Sequence, residues 1–235
     1  MPWTPDEVNE KLARRLESVS HTAVDSLERL TDAYGINPQD ARVAVTWHIR
    51  HVAGVILLQT LLLSEGPMHG QWWRDHYREP VPENDVRSLL KSYEVMLALD
   101  FVVHPFSQFE SGIRRVVRAL EPDACSGGSA RFSSVWAWLL ARLHKSGWTY
   151  APGEEKEFIK LYGLVRNTIH NDSFFYPLTR TSTTVTWRGE RYEFIYGSEV
   201  PFLNWDFHFT IVSELLTLTE VVMLADLIKE LDGVP

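Results

Sequence analysis

Two side chains four residues apart, Arg166 and His170, are the strongest candidates for chemistry in this chain of 235 residues. They stand in the run Leu164-Val165-Arg166-Asn167-Thr168-Ile169-His170-Asn171-Asp172. On a helix such a spacing puts them about 40° apart and one turn along the axis, so both project from one face. Arginine offers a fixed fork of donors that fits phosphate oxygens, and histidine titrates near neutrality and moves protons. The plainer alternative is a helix end whose Arg, Asn and His side chains cap carbonyls and join neighbouring turns.

Other constellations carry weaker chemistry. His48 and His51 are three apart on one helix and would share a metal ion only if a third ligand such as His69, Asp75 or His76 folded over them. Ordinary hydrogen bonds on a mostly apolar helix explain that pair as well, and no metal or other cofactor is expected. Trp72-Trp73 would stack on a nucleobase or, more simply, cover the apolar helix before it. Cys125, in a Gly/Ser loop, is the only cysteine, which removes a disulfide framework and any cysteine-cluster metal site. There is no Gly-Lys-Ser/Thr phosphate loop, no Gly-x-Gly-x-x-Gly, no Gly-x-Ser-x-Gly and no His-Glu-x-x-His.

Composition limits the partners. The chain is 45% hydrophobic and 23% charged, with a formal charge of −8, as an ordinary globular protein has. That balance disfavours a surface that coats nucleic acid indiscriminately, because phosphate binding needs basic charge. The charge is uneven, however. Residues 101–180 hold 10 basic and 7 acidic side chains, whereas 1–100 hold 10 and 15, and 181–235 hold 3 and 9. Arg166 and His170 fall in the basic third, with Arg114, Arg115 and Arg118 on the helix before and Arg142 and Lys145 on the next. A local basic cleft there, or a set of scattered solvated arginines, follows equally from the pattern. No apolar signal core opens the chain, and Val52–Leu63 is too short to span a bilayer, so a cytoplasmic protein with no membrane contact is expected.

The elements that position these residues read as a mainly α helical bundle with one late β-hairpin. Thr4-Pro5-Asp6-Glu7 starts one long helix, or two broken near Ser20, that ends at Tyr34-Gly35. Asn37-Pro38-Gln39-Asp40 starts a second, apolar nearly all round toward Ser64, which requires cover on most sides. Glu65–Pro82, rich in Gly and Pro, is the boundary between an amino-terminal helical pair (1–80) and the bundle (81–235). Periodicity resumes at Val86, is broken by His104-Pro105, and restarts with a capping box at Ser107-Gln108-Phe109-Glu110. Helices follow over Phe132–Leu143 and Glu154–Asn171. Alternation within 183–197, turning at Arg188-Gly189, predicts the hairpin. Asn204 caps a last helix from Trp205 to about Leu231.

The run Arg166-Asn167-Thr168-Ile169-His170-Asn171, closing a helix in an all-α setting, resembles the HEPN superfamily of helical-bundle domains. Its signature is an Arg, often followed by a polar residue such as Asn, and a His after four to six intervening residues. Here three intervene, and Asn171 occupies the position of the shortest family spacing. Many members are metal-independent ribonucleases of toxin–antitoxin and other defence systems, and others are non-catalytic nucleotide-binding or dimerisation modules. The resemblance implies a homodimer whose two Arg/His sets line one cleft, with RNA or a nucleotide as ligand and an antitoxin-like protein as a further partner. It implies Arg166, Asn167 and His170 as catalytic and Asn171 and Glu110 as substrate-side residues, to which the charge pattern adds Arg114, Arg115 and Arg118. Glu110 looks like the acidic residue many of these domains carry on an early helix.

Overall fold

The computed structural model describes residues 5–35, 37–66, 70–76, 82–124, 131–148, 150 and 153–235. Thr4 and Cys125, with its Gly/Ser loop, lie outside the described residues, as does His69. The long amino-terminal helix α1 (Pro5–Tyr34) is unbroken at Ser20. Leu12, Leu16, Val19, Ala23 and Leu30 are buried at helical spacing and form its inner stripe. Gly35 ends it in the left-handed conformation, φ 78°, while its N–H reaches the Thr31 carbonyl.

Helix α2 (Ala41–Glu65) begins where the sequence places it. The Asp40 carboxylate accepts the Arg42 backbone N–H at 2.9 Å and the Arg42 guanidinium at 2.7 Å, a pair buried on both sides. Arg42 also lies 4.0 Å over the Tyr34 ring and donates to the Leu231 carbonyl, tying the α1–α2 corner to the carboxyl end of the chain. The expectation of cover on most sides is corrected: α1 and the later helices α5 (His104–Leu120) and α8 (Trp205–Met223) cover one side, while Trp47, Leu58 and Leu62 remain exposed on the other.

A short helix, α3 (Gly70–His76), stands inside the Gly/Pro-rich segment. Side-chain bonds of Gln71 with Asp75 and Arg74 support it, and the Trp72 ring packs so closely on Gly66 that a Cβ there would lie 2.8 Å from it. Trp72 therefore covers the end of α2. It also stacks on His76 at 4.2 Å.

Next comes α4 (Glu83–Ala98), and here the expected break at His104-Pro105 does not occur. A π-helical turn, Leu99–Val103, joins α4 to α5 (His104–Leu120) without interruption. Pro105 falls in the first turn of α5, where its missing N–H and its ring are tolerated because the wider turn before it relaxes the backbone. The Tyr162 hydroxyl, fully buried, donates to the Val102 carbonyl within that turn at 3.0 Å. The capping box is corrected with it. Ser107 is already helical and donates to the Val103 carbonyl, and Glu110 points to arginines instead of a helix start.

Helices α6 (Phe132–Lys145) and α7 (Glu154–Ile169) pack on one another and, respectively, on α5 and the π turn. Phe106 stacks on Tyr162 at 4.7 Å, and Phe109 meets Trp136 edge-on, so aromatic rings fill the junction. Strands β1 (Thr183–Trp187) and β2 (Glu190–Phe194) pair antiparallel, with Val185 opposite Tyr192. Arg188 and Gly189 both have positive φ, 51° and 79°, as a type I′ turn demands. Val185, Trp187, Tyr192 and Phe194 form the buried face of the hairpin, and β1 lies on α7.

Helix α8 (Trp205–Met223) begins at Asn204, whose side chain accepts the Phe207 N–H at 3.0 Å. It stops earlier than predicted. Ala225 is extended, and the single turn α9 (Asp226–Lys229) swings away so that the Ile228 and Leu231 carbonyls meet Arg42. One buried apolar cluster links all the longer elements from Leu12 to Val234, and Gly112 of α5 sits so near α2 that a Cβ would lie 2.9 Å from Val45 Cγ2.

Candidate functional site

Helix α7 opens with Glu154, Glu155 and Glu157, favourable at the positive end of the helix dipole, and buries Phe158, Leu161, Tyr162 and Val165. With that face committed to the core, Arg166, Asn167 and His170 fall on the outer side of the last turn. Arg166 keeps 34% of its side chain exposed, and its Nη1 lies 3.7 Å from Glu110 Oε2. Its Nε is buried with no hydrogen-bond partner among the described residues. Glu110 Oε1 in turn accepts from Arg114 Nη2 at 2.7 Å, and Arg114 leans over the Phe132 ring at 5.9 Å. One carboxylate thus sits between two guanidiniums from two helices. The structure brings Glu110, Arg114 and Arg166 together, a meeting no single-helix reading of the sequence contains.

His170 is the residue just beyond α7, exposed, with its N–H on the Arg166 carbonyl at 3.2 Å. Asn167 is exposed, and its carbonyl accepts the Asn171 side-chain amide at 2.8 Å. Asn171 is therefore also a helix-end cap, the plain role its position allows. Asp172 and Ser173 follow, both left-handed, with φ 52° and 69°. Such a conformation costs a non-glycine residue on the order of 1 kcal/mol, and here hydrogen bonds hold it. The Thr168 carbonyl accepts the Ser173 N–H, and the Ser173 carbonyl accepts the Val200 N–H.

The remaining basic side chains divide. Arg115 is turned away from this face and donates to the carbonyls of Gln39, Val234 and Pro235, strapping the chain end to the α2 corner. It is an anchor of the fold, not a member of the cluster. Arg118 is exposed at the last turn of α5, four residues beyond Arg114. Arg142 pairs with Glu121 at 2.6 Å and covers the Trp138 ring at 3.3 Å, and Lys145 is exposed. Of these basic side chains, Arg114, Arg142 and Arg166 are thus partnered by local carboxylates, whereas Arg118 and Lys145 face solvent.

Among the described residues, which do not include His69, no group of three His, Cys, Asp or Glu side chains is placed to hold a metal ion with His48 and His51. His51 stacks on Trp47 at 5.4 Å. Burial pushes the His48 imidazole below its ordinary pKa, and the neighbouring His104 and His51 push it the same way.

Behind the α7 turn lies a feature the sequence reading missed, a cavity of about 370 Å³ reached by Ile169 and Ser173 on one side and by α4 and the start of α8 on the other. His208 lines it with Glu94. His208 is buried, and neither ring nitrogen has a hydrogen-bond partner among the described residues. The available signal was a histidine set among aromatics, in Trp205-Asp206-Phe207-His208-Phe209, at a position whose helical neighbours face the core.

Comparison with protein-family models, curated proteins and solved structures gives no match. Among the described residues no helix is long and apolar enough to cross a membrane.

Proposed function

We propose that the protein is a metal-independent endoribonuclease of the HEPN kind, acting as a homodimer on RNA phosphodiesters. The observation that supports this reading is the meeting of Arg166 with Glu110 from an earlier helix, with His170 exposed one turn further along the same edge. Arg166 and Arg114 offer guanidinium donors to the phosphate, and Glu110 holds both in place until phosphate oxygens replace it. His170 takes the proton of the ribose 2′-hydroxyl, whose oxygen then attacks phosphorus. The 5′-oxygen leaves with a proton from the second subunit's imidazole, giving a 2′,3′-cyclic phosphate and a 5′-hydroxyl end. Asn167 orients the phosphate, and a neighbouring hydroxyl supplies the nucleophile, so the step consumes neither water nor a metal. An antitoxin-like protein that covers this edge is the partner such an activity calls for.

The test is cleavage of single-stranded RNA in the presence of a chelator. His170→Ala should lower the rate by about 10²–10⁴-fold, the usual contribution of a positioned proton donor or acceptor. Undiminished cleavage by that variant overturns the reading.

A second reading has its own observation. Arg166 is engaged by a carboxylate, and Asn171 is spent on capping. A non-catalytic HEPN-like module, which binds a nucleotide or a second copy through this face, fits those contacts. It predicts a stable dimer with no cleavage under any condition, and loss of dimer or nucleotide affinity in Arg166→Ala.

A further inference from the structure

The cavity behind the α7 turn is lined by a buried side chain, His208, neither of whose ring nitrogens has a hydrogen-bond partner among the described residues. We propose that it is a binding site for a small, flat, uncharged nitrogen heterocycle bearing an amino group, with Glu94 and His208 reading its polar edge.

Four observations carry this. First, the volume of about 370 Å³ lies in the range of small-molecule sites. Second, neither nitrogen of His208 has a partner among the described residues although the ring is almost wholly buried, and a buried polar group without a partner is costly, so the imidazole is suited to a ligand that brings it a hydrogen bond. Burial holds this imidazole neutral, with a pKa pushed down to about 4, so one of its nitrogens donates and the other accepts at neutral pH. Third, Glu94 adds a carboxyl group whose oxygen accepts from an amino group, leaving the ring nitrogen beside that amino group to accept from the imidazole N–H. Fourth, the walls are apolar and aromatic, supplied by Val95, Ala98, Leu203 and Trp205, which suits a planar ring.

Charge narrows the class. Among the described residues no Lys or Arg lines the cavity, so its walls offer no direct partner to a phosphate or carboxylate. The one lining carboxylate besides Glu94 is Asp206, and Arg15 and Lys11 of α1 already neutralise it. Burial also pushes the Glu94 carboxyl above its ordinary range, which weakens its call for a cation. A ring with an amino group beside a ring nitrogen, the arrangement found in aminopurines and aminopyrimidines, meets each of these conditions.

The site stands apart from the proposed ribonuclease face. Arg166 and His170 lie outside the cavity lining, and the probes below carry neither ribose nor phosphate, so a failure of one reading leaves the other intact. Calorimetric titration of the full chain with adenine, cytosine, indole and benzylamine is the test. Adenine or cytosine should bind at least ten times more tightly than indole, and Glu94→Gln and His208→Leu should each weaken that binding at least ten-fold. Circular dichroism checks that the variants fold, and Glu94→Gln, at the half-buried rim, keeps the test open should His208→Leu fail to do so. Absence of heat from both bases at millimolar concentration overturns the proposal. So does indole binding equally well with no effect of either substitution, which makes the cavity merely apolar, or tighter binding of benzylamine, which makes it a cation site.

Discussion

The two sides of the turn that follows α7 contrast sharply. On the outer side, Arg166, Asn167, His170 and Asn171 are wholly or partly exposed, Arg166 is paired with Glu110, and the Asn171 amide caps the helix end. On the inner side, reached within three residues through the left-handed Asp172 and Ser173, a buried imidazole has no partner among the described residues. The residues that looked reactive in the sequence lie where water reaches them, whereas a polar group without a partner among the described residues is hidden among aromatics. Chemical residue types are visible in a sequence, whereas unmet hydrogen-bonding capacity is a property of the packed neighbourhood.

The largest effect expected from this contrast is on the inner side. His208 is neutral in the folded protein, with a pKa near 4 against an ordinary value of about 6.5. The unfolded chain therefore binds a proton that the folded chain refuses. The associated stability is fully present above about pH 6.5 and is lost progressively as the pH falls toward 4, by about 3 kcal/mol in all. Among the described residues, Glu94, Lys91, Asp206, Arg15 and Lys11 are charged groups near this side, and they stay in place in a His208→Leu comparison. Denaturant unfolding at pH 7 and pH 4.5 should show the wild type losing that much more stability than His208→Leu. Equal losses would mean that the imidazole is not sheltered, and the contrast between the two sides would dissolve.

A smaller effect belongs to the cavity mouth. Asn204 accepts the Phe207 N–H as the cap of α8, so Asn204→Ala should cost about 1 kcal/mol, the usual worth of such a cap. Thermal unfolding measures it. If the loss is nearer to zero, the helix start does not depend on the cap and the inner wall of the cavity is held by packing alone.

Much of this architecture was legible in the sequence because it rests on local rules. The Asn204 and Asp40 caps, the Arg188-Gly189 turn with two positive φ angles, and the buried stripe of α7 each follow from a few consecutive residues. The failures are equally specific. Pro105 reads as a helix breaker, but the preceding π turn absorbs it, a compensation that depends on Tyr162 sixty residues away. Glu110 reads as part of a capping box because Ser107 lies three residues before it, and only the approach of α7 to α5 reveals that it serves Arg114 and Arg166. Arg115 reads as one of three basic residues on a helix, yet its donors go to the carboxyl end of the chain. His208 reads as core, and its lack of a partner is a tertiary fact.

The smallest expected effect tests the outer side. Glu110→Gln preserves the shape of the side chain and removes the charge that Arg114 and Arg166 share. All three side chains keep between 22% and 34% of their exposure, so water screens the ion pairs, and the substitution should cost no more than about 1 kcal/mol, shrinking further in high salt. A loss of that size means that the carboxylate is a replaceable counter-ion and that phosphate oxygens can take its place on the two guanidiniums. A loss of about 3 kcal/mol or more, unaffected by salt, would instead mark Glu110 as an indispensable partner of a charge the fold cannot expose, because that is the signature of breaking a buried pair. Arg166 would then be a structural residue, and the outer side would lose its claim to phosphate chemistry.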